Sequence, residues 1–180
     1  MNRIDSHYTN ILPDYVVGPM QAYATDPTTQ YRSISQDWEG ANYRTVAVHP
    51  LPVGHPMEEH VVKTMLYFNQ EFFQYDLCGT FEVQIMRYRR GDGFGWHSDY
   101  GPSAVETMDR KLSMTLQLSE AWDYVGGELD LTDWHNQPHT LTKECGGFVV
   151  FDSRVPHRVR RLTDGERYSI VAWAHGPKLK

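Results

Sequence analysis

The sequence predicts an α+β protein, mainly β, in which helices pack on an antiparallel sandwich or barrel. Three observations carry that prediction. A helical hydrophobic repeat runs from Pro56 to Phe73, the apolar period falls to two after residue 80, and glycine-containing turns separate the resulting short segments.

Within the first segment, Val61, Met65, Phe68 and Phe72 recur at helical spacing, with Val62, Leu66 and Phe73 on neighbouring positions. Pro56 suits the first helical position, and Glu58 and Glu59 favour the positive end of the helix dipole. Strands are predicted over Phe81–Tyr88, Leu112–Leu118, Gly147–Phe151 and Arg167–His175, with another at Tyr43–His49. Turns fall at Gly91-Asp92-Gly93, Gly126-Gly127, Gly146-Gly147 and Asp164-Gly165. No repeat or linker-like stretch divides the 180 residues. One domain over 1–180 is expected, with a helix-containing part at 1–80 and a β core at 81–176.

At 40% hydrophobic and 13% aromatic residues, the chain is globular rather than disordered. No run approaches the roughly 18 apolar residues that cross a bilayer, and Met1–His7 lacks an apolar leader. A cytoplasmic protein without a membrane partner is the expectation. The net charge of −6 argues against a general binder of nucleic-acid backbone. Cys78 and Cys145 are too few for a disulfide scaffold and are expected as buried free thiols.

The most informative segment is Tyr88-Arg89-Arg90-Gly91-Asp92-Gly93-Phe94-Gly95-Trp96-His97-Ser98-Asp99. On an extended strand, residues two apart leave the same face, so His97 and Asp99 offer an imidazole and a carboxylate together. An H-x-D pair alone occurs often by chance. A second histidine would complete a 2-His-1-carboxylate triad that leaves coordination positions open, and His157 follows an apolar strand further on. Ten residues later Arg167, Ser169, Val171 and Trp173 alternate onto one face. His7, His49, His55, His60, His135, His139 and His175 have no partner at ligand spacing and read mostly as surface or loop residues.

These elements form an ordered set. Tyr88 lies nine residues before His97, Arg167 ten after His157, and Trp173 sixteen after it; Arg110-Lys111-Leu112-Ser113 and Gly126-Gly127-Glu128-Leu129 fall between. The set resembles the 2-oxoglutarate and iron(II)-dependent oxygenases over roughly residues 81–176, and within them the prolyl 4-hydroxylase-like and PKHD-type hydroxylases. The resemblance implies a double-stranded β-helix, or jelly roll, with N-terminal helices bracing one sheet and His157 returning on a facing strand. It implies Fe(II) held by His97, Asp99 and His157, with 2-oxoglutarate and O2 as cosubstrates, succinate and CO2 as coproducts, and ascorbate as a stimulant.

By the same resemblance Arg167 grips the distal carboxylate of 2-oxoglutarate, a task that suits a guanidinium fork, and the Tyr88 hydroxyl touches it too. Ser169 would add a donor, Trp173 would close the pocket floor, and Gln84 shares the Tyr88 face of its strand. Many prolyl 4-hydroxylases carry lysine where this chain has Arg167, which moves it toward the PKHD-like branch. The implied substrate is a peptidyl prolyl (or lysyl) residue. A free amino acid, a small metabolite or a nucleobase is the alternative, and a non-catalytic metal-binding jelly roll a remoter one. Arg87, Arg89, Arg90, Arg154, Arg158, Arg160 and Arg161 read either as solvated strand ends or as an attraction for an anionic substrate. The loop Tyr100–Asp109 is expected to be a lid.

Overall fold

The computed structural model describes residues 2–4, 7–37, 43–100 and 108–178. These form β1 (Asn2–Ile4), β2 (His7–Ile11), α1 (Asp14–Thr25), β3 (Arg32–Asp37), β4 (Tyr43–Pro50), α2 (Pro56–Phe68), β5 (Phe81–Arg89), β6 (Gly93–His97) and β7 (Met108–Gln117). They continue as β8 (Tyr124–Gly126), β9 (Leu129–Thr132), β10 (Pro138–Thr140), β11 (Gly147–Asp152), β12 (His157–Val159) and β13 (Leu162–Pro177). One hydrogen-bonded path runs β1-β2-β11-β7-β13-β5-β4-β6-β12-β9-β10, with β3 added on β4 and β8 on β13. Every recorded pairing is antiparallel, and the sheet curls so that two layers face each other.

Strand β4 makes the turn between layers. Its residues from Ala47 to Pro50 pair with β5, whereas Arg44 and Thr45 pair with β6. The larger layer, β2-β11-β7-β13-β5, therefore continues into the smaller one, β6-β12-β9-β10, around a single bent strand.

Period-two alternation gives the larger layer two buried faces. Val83, Ile85, Leu112, Met114, Leu116, Val150, Ile170 and Ala172 pack against Val17, Met20 and Ala24 of α1 and Met57, Val61, Met65 and Phe68 of α2. The opposite face joins the smaller layer in a second core that includes Met86, Tyr88, Leu129, Leu131, Val149, Phe151 and Leu162. Strand β7 shows the consequence. Its apolar residues meet the helices, yet Ser113, Thr115 and Gln117 on the other face are also buried, inside the roll. Buried polar side chains need partners: Ser113 finds them in Asp99 and Ser153, and Thr115 faces a pocket between the layers.

Several expectations change. The helix beginning at Pro56 ends at Phe68 and widens into a π-helical turn over Asn69–Phe73, closed by Gln74 at φ 56. Helix α1 adds a second brace for which the sequence reading made no prediction, with Pro19 inside it and Val17, Met20 and Ala24 on its buried side. Cys78 is exposed and Cys145 half-buried, both free, so the thiols are not core residues. His7 and His175 are fully buried rather than superficial. Residues 101–107 of the expected lid lie outside the described residues. No helix among the described residues is long and apolar enough to cross a membrane.

Met65 is completely buried where α2 meets the sheet. Met65→Ala should cost about 2–5 kcal/mol in urea denaturation without changing the m-value, since it leaves a cavity far from any ligand. A loss below about 0.5 kcal/mol would show that α2 does not brace the sheet as described.

Candidate metal and cosubstrate site

The metal-ligating geometry starts from a strand register. Strands β6 and β12 are hydrogen-bonded neighbours, and His157 lies directly opposite His97. Directly opposed residues of an antiparallel pair project side by side, and the two imidazole centroids are 4.2 Å apart. His157 thus returns on the adjacent strand of the same layer, not on a facing one. Asp99 sits two residues past the end of β6, so its position depends on tethers instead of strand geometry. Its N–H and that of Tyr100 both donate to the Ser153 carbonyl at 2.9 Å, and its Oδ2 accepts from the Ser113 hydroxyl at 2.7 Å.

The carboxylate lies between the rings. His97 Nε2 is 3.7 Å from Asp99 Oδ1, and His157 Nε2 is 3.4 Å from Oδ2. One ligand atom from each of the three residues falls within 4.8 Å of the others. Both rings are oriented identically: Nδ1 of His97 meets the Gly95 carbonyl at 2.8 Å, and Nδ1 of His157 meets the Val155 carbonyl at 3.0 Å. A carbonyl only accepts, so each Nδ1 carries the proton and each Nε2 presents a lone pair. Phe94 stacks on His97 with centroids 3.5 Å apart, and Phe151 meets His157 edge-on.

Electrostatics keep the ligands in their binding forms. Burial, reinforced by the His157 ring, lowers the His97 imidazole from 6.5 to about 3. For Asp99, burial acts upward, but His157, His97 and the hydrogen bond from Ser113 hold the carboxyl below the usual carboxylate range.

Behind the triad a narrow pocket runs between the layers to Arg167, walled by Met86, Met114, Leu129, Val159 and Val171. Arg167 lies opposite Tyr88 in the β5–β13 pairing, with its guanidinium carbon 5.2 Å from the tyrosine ring centroid. It is 1% exposed, and its Nε and Nη2 have no hydrogen-bond partner. Ser169 Oγ is likewise buried without a partner, and the Tyr124 hydroxyl lies beside the guanidinium. Among the described residues no carboxylate forms an ion pair with Arg167. An unmatched buried guanidinium costs several kcal/mol, roughly, so this end of the pocket fits an anionic ligand. Gly127 makes room for it: at φ +65, a Cβ there would sit 2.4 Å from Leu162 Cδ1 and 3.3 Å from Arg167 Cδ.

On the solvent side of the triad a second cavity of about 390 Å³ opens, within the range of roughly 300–1,000 Å³ usual for ligand pockets. Trp173 lines both cavities. The expected site residues therefore gather in two groups. Tyr88, Arg167, Ser169 and Trp173 line the inner pocket with the triad, whereas Gln84 lines the outer cavity and is not brought to Arg167. The arginines at the opening are Arg32, Arg44 and Arg110. Of the arginines expected there, Arg154 pairs with Asp152, Arg158 and Arg160 with Asp130, and Arg89 with Glu166.

Sequence reasoning missed Ser113, Tyr124 and Arg44. The polar alternation of β7 pointed to Ser113, since a regular polar stripe in a core strand needs an interior reason. Tyr124 lies on a three-residue strand, too short for periodicity to show.

Residues 83–175 match the 2OG-Fe(II) oxygenase superfamily. The chain belongs to that superfamily, whose members use Fe(II), 2-oxoglutarate and O2. It is 36% identical over 90 residues to a PKHD-type hydroxylase of Psychrobacter sp. (strain PRwf-1), covering 48% of this chain and 34% of that protein. It is 40% identical over 89 residues to a PKHD-type hydroxylase of Shewanella oneidensis, covering 48% and 39%. The chain thus spans well under half the length of these curated relatives. Among solved structures, a Pseudomonas putida prolyl-4-hydroxylase superposes with TM-score 0.75 at 23% identity, covering 96% of this chain and 93% of that one. A Trichoplax adhaerens prolyl hydroxylase in complex with a hypoxia inducible factor peptide fragment gives TM-score 0.73 at 17% identity, covering 94% and 83%. Both show the shared fold.

Two measurements test the site. Ser113→Ala removes the hydroxyl that fixes Asp99, so divalent-metal affinity in a competition titration should fall roughly tenfold or more with the fold intact; unchanged affinity would remove Ser113 from the site. The second concerns pH. Burial lowers His97 to about 3 and His7 to about 4, so the unfolded chain binds more protons than the folded one between 6.5 and those values. Asp99, lowered when folded, adds to the same sign. The melting temperature of the metal-free protein should therefore fall as pH drops from about 7 to about 4, and a flat profile would contradict the assignment.

Proposed function

We propose that the chain is a 2-oxoglutarate-dependent iron(II) dioxygenase that hydroxylates a C–H bond, with a peptidyl prolyl residue as substrate. The observation that carries this reading is the buried Arg167 guanidinium, unpartnered at Nε and Nη2, at the closed end of a pocket whose other end is the His97–Asp99–His157 cluster. The pocket pairs a cation with a metal-binding donor set and leaves an apolar slot between, a shape suited to a slim dicarboxylate. The prolyl assignment draws support from the prolyl hydroxylases that share the fold, one of them holding a peptide.

In this reading His97, Asp99 and His157 would hold the iron, each offering one ligand atom. Arg167 would receive the distal carboxylate, which its guanidinium fork suits better than lysine would, with Ser169 as a neutral donor beside it and Tyr88 packed against its guanidinium. Iron and 2-oxoglutarate together supply the oxidising chemistry, with succinate and CO2 released. The residues of this chain position and exclude. Ser113 and Ser153 fix Asp99, Phe94 holds the His97 ring, and the aliphatic walls keep water from the slot. Trp173 separates cosubstrate from the outer cavity, where the substrate C–H would approach.

Arg167→Ala should raise the 2-oxoglutarate dissociation constant at least tenfold while divalent-metal affinity stays within about twofold. Unchanged 2-oxoglutarate affinity would refute the role of Arg167. For the substrate, incubation of the wild type with proline-containing peptides, iron(II) and 2-oxoglutarate in air should give succinate and a one-oxygen mass gain on proline. Succinate formed with a free metabolite but with no peptide would move the assignment to the small-molecule alternative.

A further inference from the structure

We propose that Arg44, with Arg32 beside it, forms a carboxylate-binding subsite in the outer cavity, so that the substrate presents an anionic group next to the carbon being oxidised. This rests on the oxygenase reading above and names a chemical requirement which that reading leaves open.

The two arginines come from the β3–β4 hairpin, which forms one wall of the outer cavity. In its register Arg32 lies opposite Val48, Ile34 opposite Val46 and Gln36 opposite Arg44. Residues two apart share a face, so Arg32, Ile34, Val48 and Arg44 all turn toward the cavity, and all four line it. The side chain of Arg44 reaches in along Phe94, with its guanidinium carbon 5.0 Å from the ring centroid. That ring is the one stacked on His97. Guanidinium, phenyl ring and imidazole therefore form one pile that ends at the metal-binding cluster.

Neither charge is matched. Arg110, the third arginine at the opening, is bound to Glu82 at 2.8 Å. Among the described residues no ion pair involves Arg32 or Arg44, and Arg44 Nε is buried without a hydrogen-bond partner. The nearby negative charge of Asp99 does not settle the balance. A loaded centre brings the metal ion, the doubly charged cosubstrate, Asp99 and Arg167, and these charges cancel. What remains is the surplus of Arg32 and Arg44, facing a cavity large enough for a ligand. Arg44 is further held by burial to a lower affinity for its proton than usual, a cost that an incoming anion relieves. A carboxylate fits best, because a guanidinium binds it through two parallel hydrogen bonds. It can come from a free amino acid or from an acidic side chain near a target proline.

The test uses the full chain loaded with zinc, as a redox-inert stand-in for iron, and with 2-oxoglutarate. The probes are matched pairs: free L-amino acids against their amides, and capped proline peptides with Glu against Gln beside the proline. Binding is read by calorimetry in every variant, with the Arg44 Nε–H resonance followed in the wild type, and KM from succinate release with the iron form. The carboxylate member of at least one pair should bind roughly tenfold tighter than its neutral partner and shift that resonance. In Arg44→Gln the preference should vanish while 2-oxoglutarate affinity is unchanged, and Arg44→Lys should restore part of it. The pair that responds identifies the source of the carboxylate. A panel without any preference, or a preference that survives in the Arg32→Gln/Arg44→Gln double variant, overturns this inference while leaving the oxygenase reading standing. Failure of the wild type to bind 2-oxoglutarate removes both.

Discussion

The pairing of β6 with β12, with His97 directly opposite His157, is the constraint on which the rest of the site depends. A slip of one residue in that register would send one imidazole to the other face of the layer and leave no pair of nitrogens to share a ligand. The register also fixes what Asp99 must do. With both rings placed by strands, the carboxylate has only to reach between them from just past the strand end. Two backbone donors to the Ser153 carbonyl and the Ser113 hydroxyl hold it there.

The same curl of the sheet explains why the interior of the roll is partly polar. Strands β5, β7 and β13 belong to a layer covered by helices on one side, and apolar residues such as Ile85, Leu116 and Ala172 are used outward, in the core shared with α1 and α2. Their inward residues are free to serve a ligand: Tyr88 on β5, Ser113, Thr115 and Gln117 on β7, Arg167 and Ser169 on β13. A buried cation at one end and a neutral pair of imidazoles flanking a carboxylate at the other give the pocket a direction. With a divalent cation bound at the triad both ends would be positive, which suits an elongated dianion.

Much of this was legible before any coordinates, and for physical reasons. Long strands such as Phe81–Tyr88 and Arg167–His175 announce their existence and which of their residues share a face, as Arg167 and Trp173 do, whereas which face turns inward came from the family resemblance. The ordered spacing of Tyr88, His97, Asp99, His157 and Arg167 carried the chemistry. Short strands did not show, because three residues cannot display a period, and so Tyr124 on β8 and the adjacency of β12 to β6 were invisible. The register that places His157 beside His97 is a property of the curl rather than of any local segment. Gln84 shares the inward face of Tyr88, as alternation predicts, yet lies nearer the opening, since facing inward does not decide depth along the strand. Arg44 escaped notice because nothing around it in the sequence marks a cation lacking a partner.

The central claim is that one pocket joins the metal-binding triad to the anion-binding end at Arg167. Visible absorption spectroscopy of the anaerobic protein tests it most directly, with iron(II) and 2-oxoglutarate added separately and then together. A charge-transfer band that appears only when both are present is the predicted result, since it requires the cosubstrate to chelate iron held by the protein. Iron binding without any band on saturation with 2-oxoglutarate would contradict the account.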